Sequence, residues 1–238
     1  MDCTGNIISV TSETIKDRTE VVIKGILNMT IQIKVYSDFV CPYCYLAETP
    51  LLKATEDKDV EIEWMPYELR PSPQKTLRPE EDYLQRSWQE SVQPLSKKLG
   101  VDMILPEVSP QPHTFFAHEG LLFAKRHNKE REYANLVFKS FYQNGKDIGK
   151  IDVLQNIAEE IGLDGKSFQQ ALESREFKQE RERIQKEAKE DLNITAVPTI
   201  IIGERVLKGL HPQANIERAL RGAIRDAKFE FCDGDECE

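Results

Sequence analysis

The sequence lacks a long hydrophobic segment and a recognisable secretory leader. A membrane-spanning helix needs about 20 mostly apolar residues. The longest apolar stretch of this chain is the short segment around Ile200, and the mean hydropathy is -0.51. The amino-terminal residues have neither the basic start nor the apolar stretch of a signal peptide. These absences predict a protein without a membrane span, located in the cytoplasm.

Positive charge is also in short supply. The 41 aspartate and glutamate residues outnumber the 32 lysine and arginine residues, which leaves a formal net charge of -9. Nucleic-acid binders and polybasic membrane binders need a basic patch, and the sequence has no visible one. We therefore expect neither nucleic acid nor a membrane surface among the partners of this protein.

Cysteine is scarce, and its five copies are unevenly spaced. An odd number in a long chain without a leader does not suit a framework of structural disulfides. Four of the five form two close pairs, Cys41 with Cys44 and Cys232 with Cys237, while Cys3 stands alone. This spacing favours redox or metal chemistry over scaffolding.

Hydrophobic periodicity predicts an α/β core. Residues 31–35 and 60–64 alternate apolar and polar side chains, as strands do, and residues 42–54 between them carry apolar side chains at helical spacing. A strand–helix–strand order implies a parallel pair of strands. Later in the chain, residues 199–207 predict a hairpin with a turn at Gly203-Glu204.

Most of the remaining sequence is typical of helices. Residues 79–192 form a long helical region with an interruption near Pro94, and a final helix covers residues 211–227. The segment 173–191 is rich in charge of both signs, so we interpret it as a solvated helix stabilised by ion pairs.

The sequence Cys41-Pro42-Tyr43-Cys44 follows a predicted strand and begins a predicted helix. The amino end of a helix presents free N–H groups and the positive end of the helix dipole, which stabilises a thiolate. Pro42 suits the first helical position because its missing N–H is not needed there. We therefore expect Cys41 to attack a substrate disulfide and Cys44, one turn further in, to resolve the mixed disulfide. An inert buried pair and half of a zinc site are the alternatives.

The dipeptide Val197-Pro198 stands at the start of the predicted third strand. A cis peptide bond here would be a purposeful feature, and in this architecture Pro198 would lie beside Cys41. The main chain of Val197 would then pair with an extended substrate by strand addition. An ordinary trans proline at the start of a strand is the alternative.

These motifs resemble those of the DsbA-like thioredoxin-fold family. The segments SDFVCPYCYLAE and AVPTIIIGERVLKGLHP, with a long helical insertion between them, are most similar to its FrnE-type cytoplasmic branch, over residues 30 to about 227. The resemblance implies an α/β thioredoxin fold with a large inserted all-helical subdomain. It also implies that Cys41 is the nucleophile, Cys44 the resolving thiol and Pro198 the cis-proline. The implied organisation is a polar, disordered lead (1–29), a thioredoxin-like core (30–68 and 194–227), the inserted helical subdomain (69–193) and an acidic tail (228–238).

The sequence departs from the exported DsbA enzymes at the dipeptide between the cysteines. Those enzymes carry histidine there, whereas this chain has Pro42-Tyr43, which argues against strongly oxidising behaviour. Related glutathione-dependent isomerases and kappa-type transferases share the fold but typically have serine in place of Cys41. A glutathione-dependent enzyme acting on a small aromatic or polyketide substrate is therefore one alternative function, and a chaperone-like binding protein is another.

We accordingly expect a thiol–disulfide oxidoreductase or isomerase that acts on protein or low-molecular-weight disulfides. Its predicted substrate contacts are Val197, Pro42 and Tyr43. We expect no tightly bound cofactor and no metal, with glutathione or a protein thiol as the redox partner.

The second cysteine pair, Cys232 and Cys237, matches a Cys-x4-Cys pair that some FrnE-type members carry near the carboxyl terminus. The surrounding carboxylates should raise the pKa of both thiols by repulsion, so we expect an auxiliary redox pair and not an attacking nucleophile. Two idle thiols and a weak metal site are the alternatives. Because Met29 directly precedes the first strand, it is a candidate for the true start, which would remove Cys3 from the mature protein.

Two further residues are candidates for a part in catalysis. Asp38, three residues before Cys41, is either a proton-transfer group or a turn residue at the end of a strand. His118 lies among apolar neighbours in a predicted helix, and we interpret it as a core histidine in preference to a substrate contact.

Overall fold

The computed structural model describes residues 30–232, with side chains through residue 227. Strands occur near both ends of this range, and helices fill the middle. The elements are β1 (Ile31–Ser37), α1 (Pro42–Thr55), β2 (Val60–Pro66), α2 (Asp82–Ser87), a π-helical turn (Trp88–Val92), α3 (Gln93–Leu99), α4 (Phe115–Arg126), α5 (Glu130–Tyr142), α6 (Ile151–Glu160), α7 (Gly165–Glu173), α8 (Lys178–Glu190), β3 (Thr199–Ile202), β4 (Arg205–Lys208) and α9 (Gln213–Cys232).

The four strands form one mixed sheet in the order β2-β1-β3-β4. β1 runs parallel to β2 and antiparallel to β3, and β3 pairs antiparallel with β4. Gly203 has a φ of 57° in the turn between β3 and β4, a left-handed conformation that glycine adopts at little cost. The predicted parallel pair, the hairpin and the fold class are confirmed.

The burial of β1 changes along its length. Ile31 and Ile33 are buried while Gln32 and Lys34 are exposed, and then Val35 to Ser37 are all buried. Helices pack around the sheet: α9 packs on α1, β1, β3 and β4, while α4, α5 and α8 contact β2. The carboxyl end of β1, where the cysteine motif follows, therefore lies inside the protein.

An aromatic core holds the inserted helices together. Phe138 and Phe141, which the helical periodicity places on one face of α5, are fully buried. Phe168 of α7 packs against Tyr133 of α5 and Phe123 of α4. This core fixes α4 and α5, which both contact β2.

Two helices differ from the sequence prediction. The break expected near Pro94 is a π-helical turn over Trp88–Val92, after which α3 begins. Proline lacks an N–H and crowds the preceding turn, and the wider π turn relieves both problems while the chain stays helical. The final helix continues to Cys232, five residues further than expected, because residues 228–232 include neither glycine nor proline. Within residues 30–232, no helix is both long and apolar enough to cross a membrane.

Candidate active site

Cys41 occupies the position immediately before α1. Its N–H donates to the carbonyl of Asp38 at 3.0 Å, and its own carbonyl accepts the N–H of Cys44 at 3.0 Å. Pro42 is the first residue of the helix, as its missing N–H favours. The Cys41 sulfur therefore stands at the positive end of the α1 dipole, where a thiolate is stabilised.

The dipeptide before β3 lies directly against Cys41. The Cys41 thiol donates to the Val197 carbonyl at a distance of 3.6 Å, across 156 residues of sequence. The Val197–Pro198 peptide bond is cis, which confirms that prediction, and Pro198 is buried. Two other proline bonds, Ser72–Pro73 and Ser109–Pro110, are also cis, and no sequence pattern predicted them.

Cys44 lies beneath Cys41 and is nearly inaccessible, with 1% of its surface exposed, compared with 5% for Cys41. Both are free thiols. Burial raises the pKa of Cys44 well above its ordinary value, and the hydrogen bond with Cys41 raises it further, whereas the Asp38 main chain and the Ser37 hydroxyl act in the opposite direction. Cys44 is therefore a protonated thiol at neutral pH, and it must lose a proton before it can attack a disulfide.

The two residues between the cysteines are half-buried. The Tyr43 hydroxyl donates to Ser91 Oγ at 2.8 Å, which ties the start of α1 to the π-helical turn. The substrate contacts expected of Pro42, Tyr43 and Val197 stay predictions.

Asp38 is a fully enclosed acceptor, 1% exposed, at the end of β1. Its Oδ1 accepts the Thr114 hydroxyl at 2.7 Å, and its Oδ2 accepts the N–H of Leu69 at 2.7 Å. Its Oδ1 also lies 3.7 Å from Nε2 of His118, which is 1% exposed. The carboxylate thus joins β1, the loop after β2 and the start of α4 directly behind the two cysteines.

The residues that match a known family cover most of the chain. Residues 32–221 match the DSBA-like thioredoxin domain. The chain belongs to the DSBA-like thioredoxin domain family. A relative in Bacillus subtilis (strain 168), the uncharacterized protein YwbO, is 49% identical over 193 residues, which are 81% of this chain and 96% of that protein.

Solved structures with low sequence identity share the DsbA-like fold. A probable DsbA oxidoreductase from Streptomyces coelicolor has a TM-score of 0.70 at 17% identity, covering 87% of this chain and 93% of that one. A 2-hydroxychromene-2-carboxylate isomerase has a TM-score of 0.65 at 18% identity, covering 86% and 100%. The cytosolic disulfide reductase DsbM from Pseudomonas aeruginosa, with GSH, has a TM-score of 0.60 at 16% identity, covering 84% and 99%. These likenesses establish the fold, which is that of thiol–disulfide oxidoreductases and of an isomerase.

The DsbA-like site includes polar residues that the sequence analysis missed. Tyr142, on the buried face of α5, is 1% exposed, and burial together with Cys41, Cys44 and Asp38 raises the pKa of its hydroxyl well above the ordinary value. Thr114, which hydrogen-bonds Asp38, was also missed. Helical spacing predicts only that Tyr142 is in the core, and the proximity of its hydroxyl to the cysteines depends on the tertiary fold.

A buried ion-pair cluster lies next to the DsbA-like site, where a solvated helix was expected. Arg181 of α8 is 6% exposed and binds Glu68 and Glu119, which are 2% and 0% exposed. Arg175 binds Glu119 through two hydrogen bonds of 2.8 and 2.9 Å and covers the rings of Phe115 and Phe116. A cleft of about 540 Å³ opens beside this cluster, lined by Glu68, Pro71, Ser72, Phe115, Arg175, Lys178, Arg181, Glu182, Gln185, Lys186, Lys189 and Glu190.

The second cysteine pair falls largely outside the described structure. Cys232 is the last residue of α9, and its side chain is not among those described. Cys237, Cys3 and Met29 lie outside the described residues. The auxiliary redox role and the start at Met29 therefore stay predictions from the sequence.

Proposed function

We propose that this protein is a dithiol–disulfide oxidoreductase in which Cys41 is the attacking thiol and Cys44 the resolving thiol. One observation carries the proposal. A cysteine at the amino end of a helix touches the carbonyl before a cis-proline and lies above a second cysteine that is 1% exposed. This arrangement places one thiol at the start of a helix beside the proposed substrate-binding segment, and it keeps the other thiol in reserve.

The proposed reaction proceeds in two exchanges. The Cys41 thiolate attacks one sulfur of the substrate disulfide, so that a bond between Cys41 and that sulfur forms and the other substrate sulfur leaves as a thiolate. Cys44 then loses its proton and attacks the Cys41 sulfur. The Cys41–Cys44 disulfide forms, the second substrate sulfur leaves as a thiolate, and the departing thiolates take up protons. The substrate is reduced by two electrons and the enzyme is oxidised, and the reverse sequence oxidises a substrate dithiol.

An extended substrate is proposed to bind along Val197 and Pro198. The Val197 carbonyl is already at the Cys41 sulfur, and the Pro198 carbonyl accepts the N–H of Gly209 at 2.7 Å, which holds this segment in place. Strand addition at Val197 would bring a substrate disulfide to Cys41. Pro42 and Tyr43 would contact the other side of the substrate, since both are half-buried at the start of α1.

Glutathione or a protein thiol is the proposed redox partner, and we expect no tightly bound cofactor. The proposed location is the cytoplasm. The structural likeness to a cytosolic disulfide reductase seen with GSH supports both the redox partner and the location. Protein and low-molecular-weight disulfides remain the proposed substrates, isomerisation is a proposed activity, and the FrnE-type branch is the proposed subgroup. Cys232 and Cys237 are proposed as an auxiliary redox pair.

The function is tested by insulin reduction and by refolding of a scrambled disulfide protein. The Cys41→Ala variant is expected to lose both activities, and if it keeps them the proposal is wrong. Cys44→Ser is expected to accumulate mixed disulfides with its partners. A glutathione-dependent isomerase would instead keep its activity in Cys44→Ser, and a chaperone-like protein would suppress aggregation without either thiol. A Cys232→Ser/Cys237→Ser variant with unchanged turnover and oxidation sensitivity would contradict the auxiliary role.

A further inference from the structure

A second cleft lies between α1, β2 and α5, and none of its lining residues belongs to the proposed redox site. It has a volume of about 500 Å³, which is within the range of small-molecule binding sites. Leu52 of α1 and Trp64 of β2 form its apolar wall. The cleft therefore has the size and the lining of a ligand site, and it has few polar groups, which are Glu48, Arg131, Glu132 and Asn135.

Glu48 is the buried charge of this cleft. It is 6% exposed, and its Oε2 accepts the amide N–H of Asn135 on α5 at 3.0 Å. Within the described residues its carboxylate forms no ion pair. A buried carboxylate without a cation costs free energy, and a glutamine here could accept the same hydrogen bond without a charge. The hydrogen bond to α5 therefore does not account for an acid at this position.

Two acceptor oxygens at the base of the cleft indicate the kind of ligand. In the described part of the chain no donor reaches Glu48 Oε1 or Asn135 Oδ1, since Asn135 uses its amide N–H for Glu48 Oε2. A ligand that binds here must therefore donate hydrogen bonds. A primary ammonium has three N–H donors, which suit two separate acceptors. A guanidinium binds best to both oxygens of one carboxylate, and Oε2 already has a partner.

The mouth of the cleft offers a positive charge. Arg131 and Glu132 are both exposed there. Glu132 binds Lys129 at 3.0 Å, whereas Arg131 forms no ion pair among the described residues, so a carboxylate is the complementary group at this end. Arg131 precedes Asn135 by one helical turn, about 6 Å along α5. An α-amino acid holds its two charges closer together than this, whereas an ω-amino acid can span the distance.

We propose that this cleft binds a small ω-amino acid, with its ammonium on Glu48 and Asn135 and its carboxylate on Arg131. The methylene groups of the ligand would pack against Leu52, which is half-buried, and Trp64, which is buried. The site goes beyond the proposed function, because it uses neither cysteine and the ligand undergoes no covalent change.

The ligand ammonium should displace a proton from Glu48. Burial raises the pKa of Glu48 to about 7, while Asn135, Lys139 and Arg131 lower it to a lesser extent. About half of the Glu48 side chains are therefore protonated at pH 7 in the free protein, and a bound cation favours the ionised form. The charged and titratable groups near Glu48 are Tyr45 on α1 and Arg131, Glu132 and Lys139 on α5, and β2 contributes the uncharged Trp64.

Isothermal titration calorimetry of the full chain with γ-aminobutyrate and ε-aminocaproate tests the site. Caproate, which lacks the amine, and pentylamine, which lacks the carboxylate, are the matched ligand controls. At least one of the two amino acids should bind at one site per chain, pentylamine should bind more weakly, and caproate should not bind. Titrations at pH 7 in phosphate and in Tris, which differ in ionisation enthalpy, should show the release of about half a proton.

Four variants separate the contributions to binding. Glu48→Gln removes the charge, so it should weaken binding by about tenfold or more and abolish the proton release. Glu56→Gln removes an exposed carboxylate just after the same helix, and it should bind as the native protein does. Arg131→Gln should weaken binding of the amino acid and should not weaken binding of pentylamine. Cys41→Ala should bind like the native protein, which separates a failure of this site from a failure of the proposed function.

The proposal is overturned if neither amino acid binds at millimolar concentration, if caproate binds as tightly as they do, or if binding releases no proton. Native affinity in Glu48→Gln also overturns it. If Glu48→Gln does not fold, Leu52→Trp decides the question, because the larger ring fills the cleft and leaves Glu48 and Asn135 in place. Folded Leu52→Trp should lose binding, and unchanged affinity in this variant contradicts the site.

Discussion

At the residue scale, the two cysteines differ because of what surrounds each sulfur. Cys41 caps a helix and touches Val197, whereas Cys44 is enclosed by Ser37, Asp38 and the aromatic residues of α5. The pattern Cys-x2-Cys between a strand and a helix was enough to assign opposite roles to them. The buried acceptor Asp38 was visible in the sequence only as an alternative to a turn residue, because burial of a carboxylate depends on Thr114 and Leu69, far along the chain.

This difference predicts a difference in alkylation. In the Cys41→Ser variant, Cys44 should react with iodoacetamide at pH 7 at least about tenfold more slowly than Cys41 does in Cys44→Ser, because burial raises its pKa and blocks access. Its rate should keep rising with pH through the alkaline range, because the pKa of Cys44 is raised well above the ordinary value. Mass spectrometry of samples quenched at intervals measures both rates. Equal rates at pH 7 would contradict the assignment of Cys44 as the buried thiol.

Glu48 predicts a pH dependence of stability. Burial raises its pKa from 4.5 to about 7, so the folded protein holds this proton more tightly than the unfolded chain does. The resulting stability is complete below about pH 4.5 and is lost as the pH rises through 7. Glu48→Gln should therefore raise the free energy of unfolding at pH 8 by about 1–3 kcal/mol and change it little at pH 4. Urea titrations at both pH values test this, with exposed Glu90→Gln as the control that should change neither.

At the element scale, hydrophobic periodicity predicted the strands and most helices. It did not predict the burial of a polar side chain that is buried through tertiary contacts. Phe177, Ile184 and Ala188 lie at helical spacing in the sequence and form a buried apolar stripe along α8 and just before it. Arg181 occupies the same stripe, four residues after Phe177 and three before Ile184, so its position was a signal of burial. Its partner Glu68 is 113 residues away in the sequence, and no local pattern connects the two.

The hydrogen bond between α1 and the π-helical turn should make a measurable contribution to the free energy of unfolding. Tyr43→Phe removes the bond to Ser91 and should lower the free energy of unfolding by about 1 kcal/mol. Tyr83→Phe is the matched control, because Tyr83 is 64% exposed, and it should leave stability unchanged. Urea denaturation followed by tryptophan fluorescence gives both values. A loss of the same size in the control would contradict a stabilising role for the hydrogen bond from the Tyr43 hydroxyl.

At the scale of the whole molecule, the ion-pair cluster joins the sheet to the inserted helices. Glu68 follows β2, Glu119 lies on α4, and Arg181 on α8 binds both. The sequence predicted the fold class and the separation of a strand-rich core from an inserted helical subdomain. It did not predict the ion pairs that join the core to the helical subdomain, because each of the three charged residues, taken by itself, is typical of a protein surface.

Removing Arg181 should therefore be far more damaging than removing a neighbouring arginine. Arg181→Met leaves the buried Glu68 without its cation, whereas Glu119 keeps Arg175, and should cost about 3–5 kcal/mol. Arg183→Met, on the exposed side of the same helix, should cost less than about 0.5 kcal/mol. The two variants should differ less in their loss of unfolding free energy at pH 5. Burial raises the pKa of Glu68, and protonation of Glu68 then removes its unpaired charge. Urea denaturation at pH 7 and pH 5 measures it, and equal costs at pH 7 would contradict a buried role for Arg181.

The contact between Cys41 and Val197 also has a consequence for biosynthesis. The two residues are 156 positions apart, and the whole helical insertion is translated between them. On the ribosome, both thiols therefore emerge long before the segment that is to face them. Until that segment arrives and the intervening loop closes, the nascent chain carries a dithiol without its partner surface. The proposed redox activity therefore begins only when nearly all of the described chain has been made and folded.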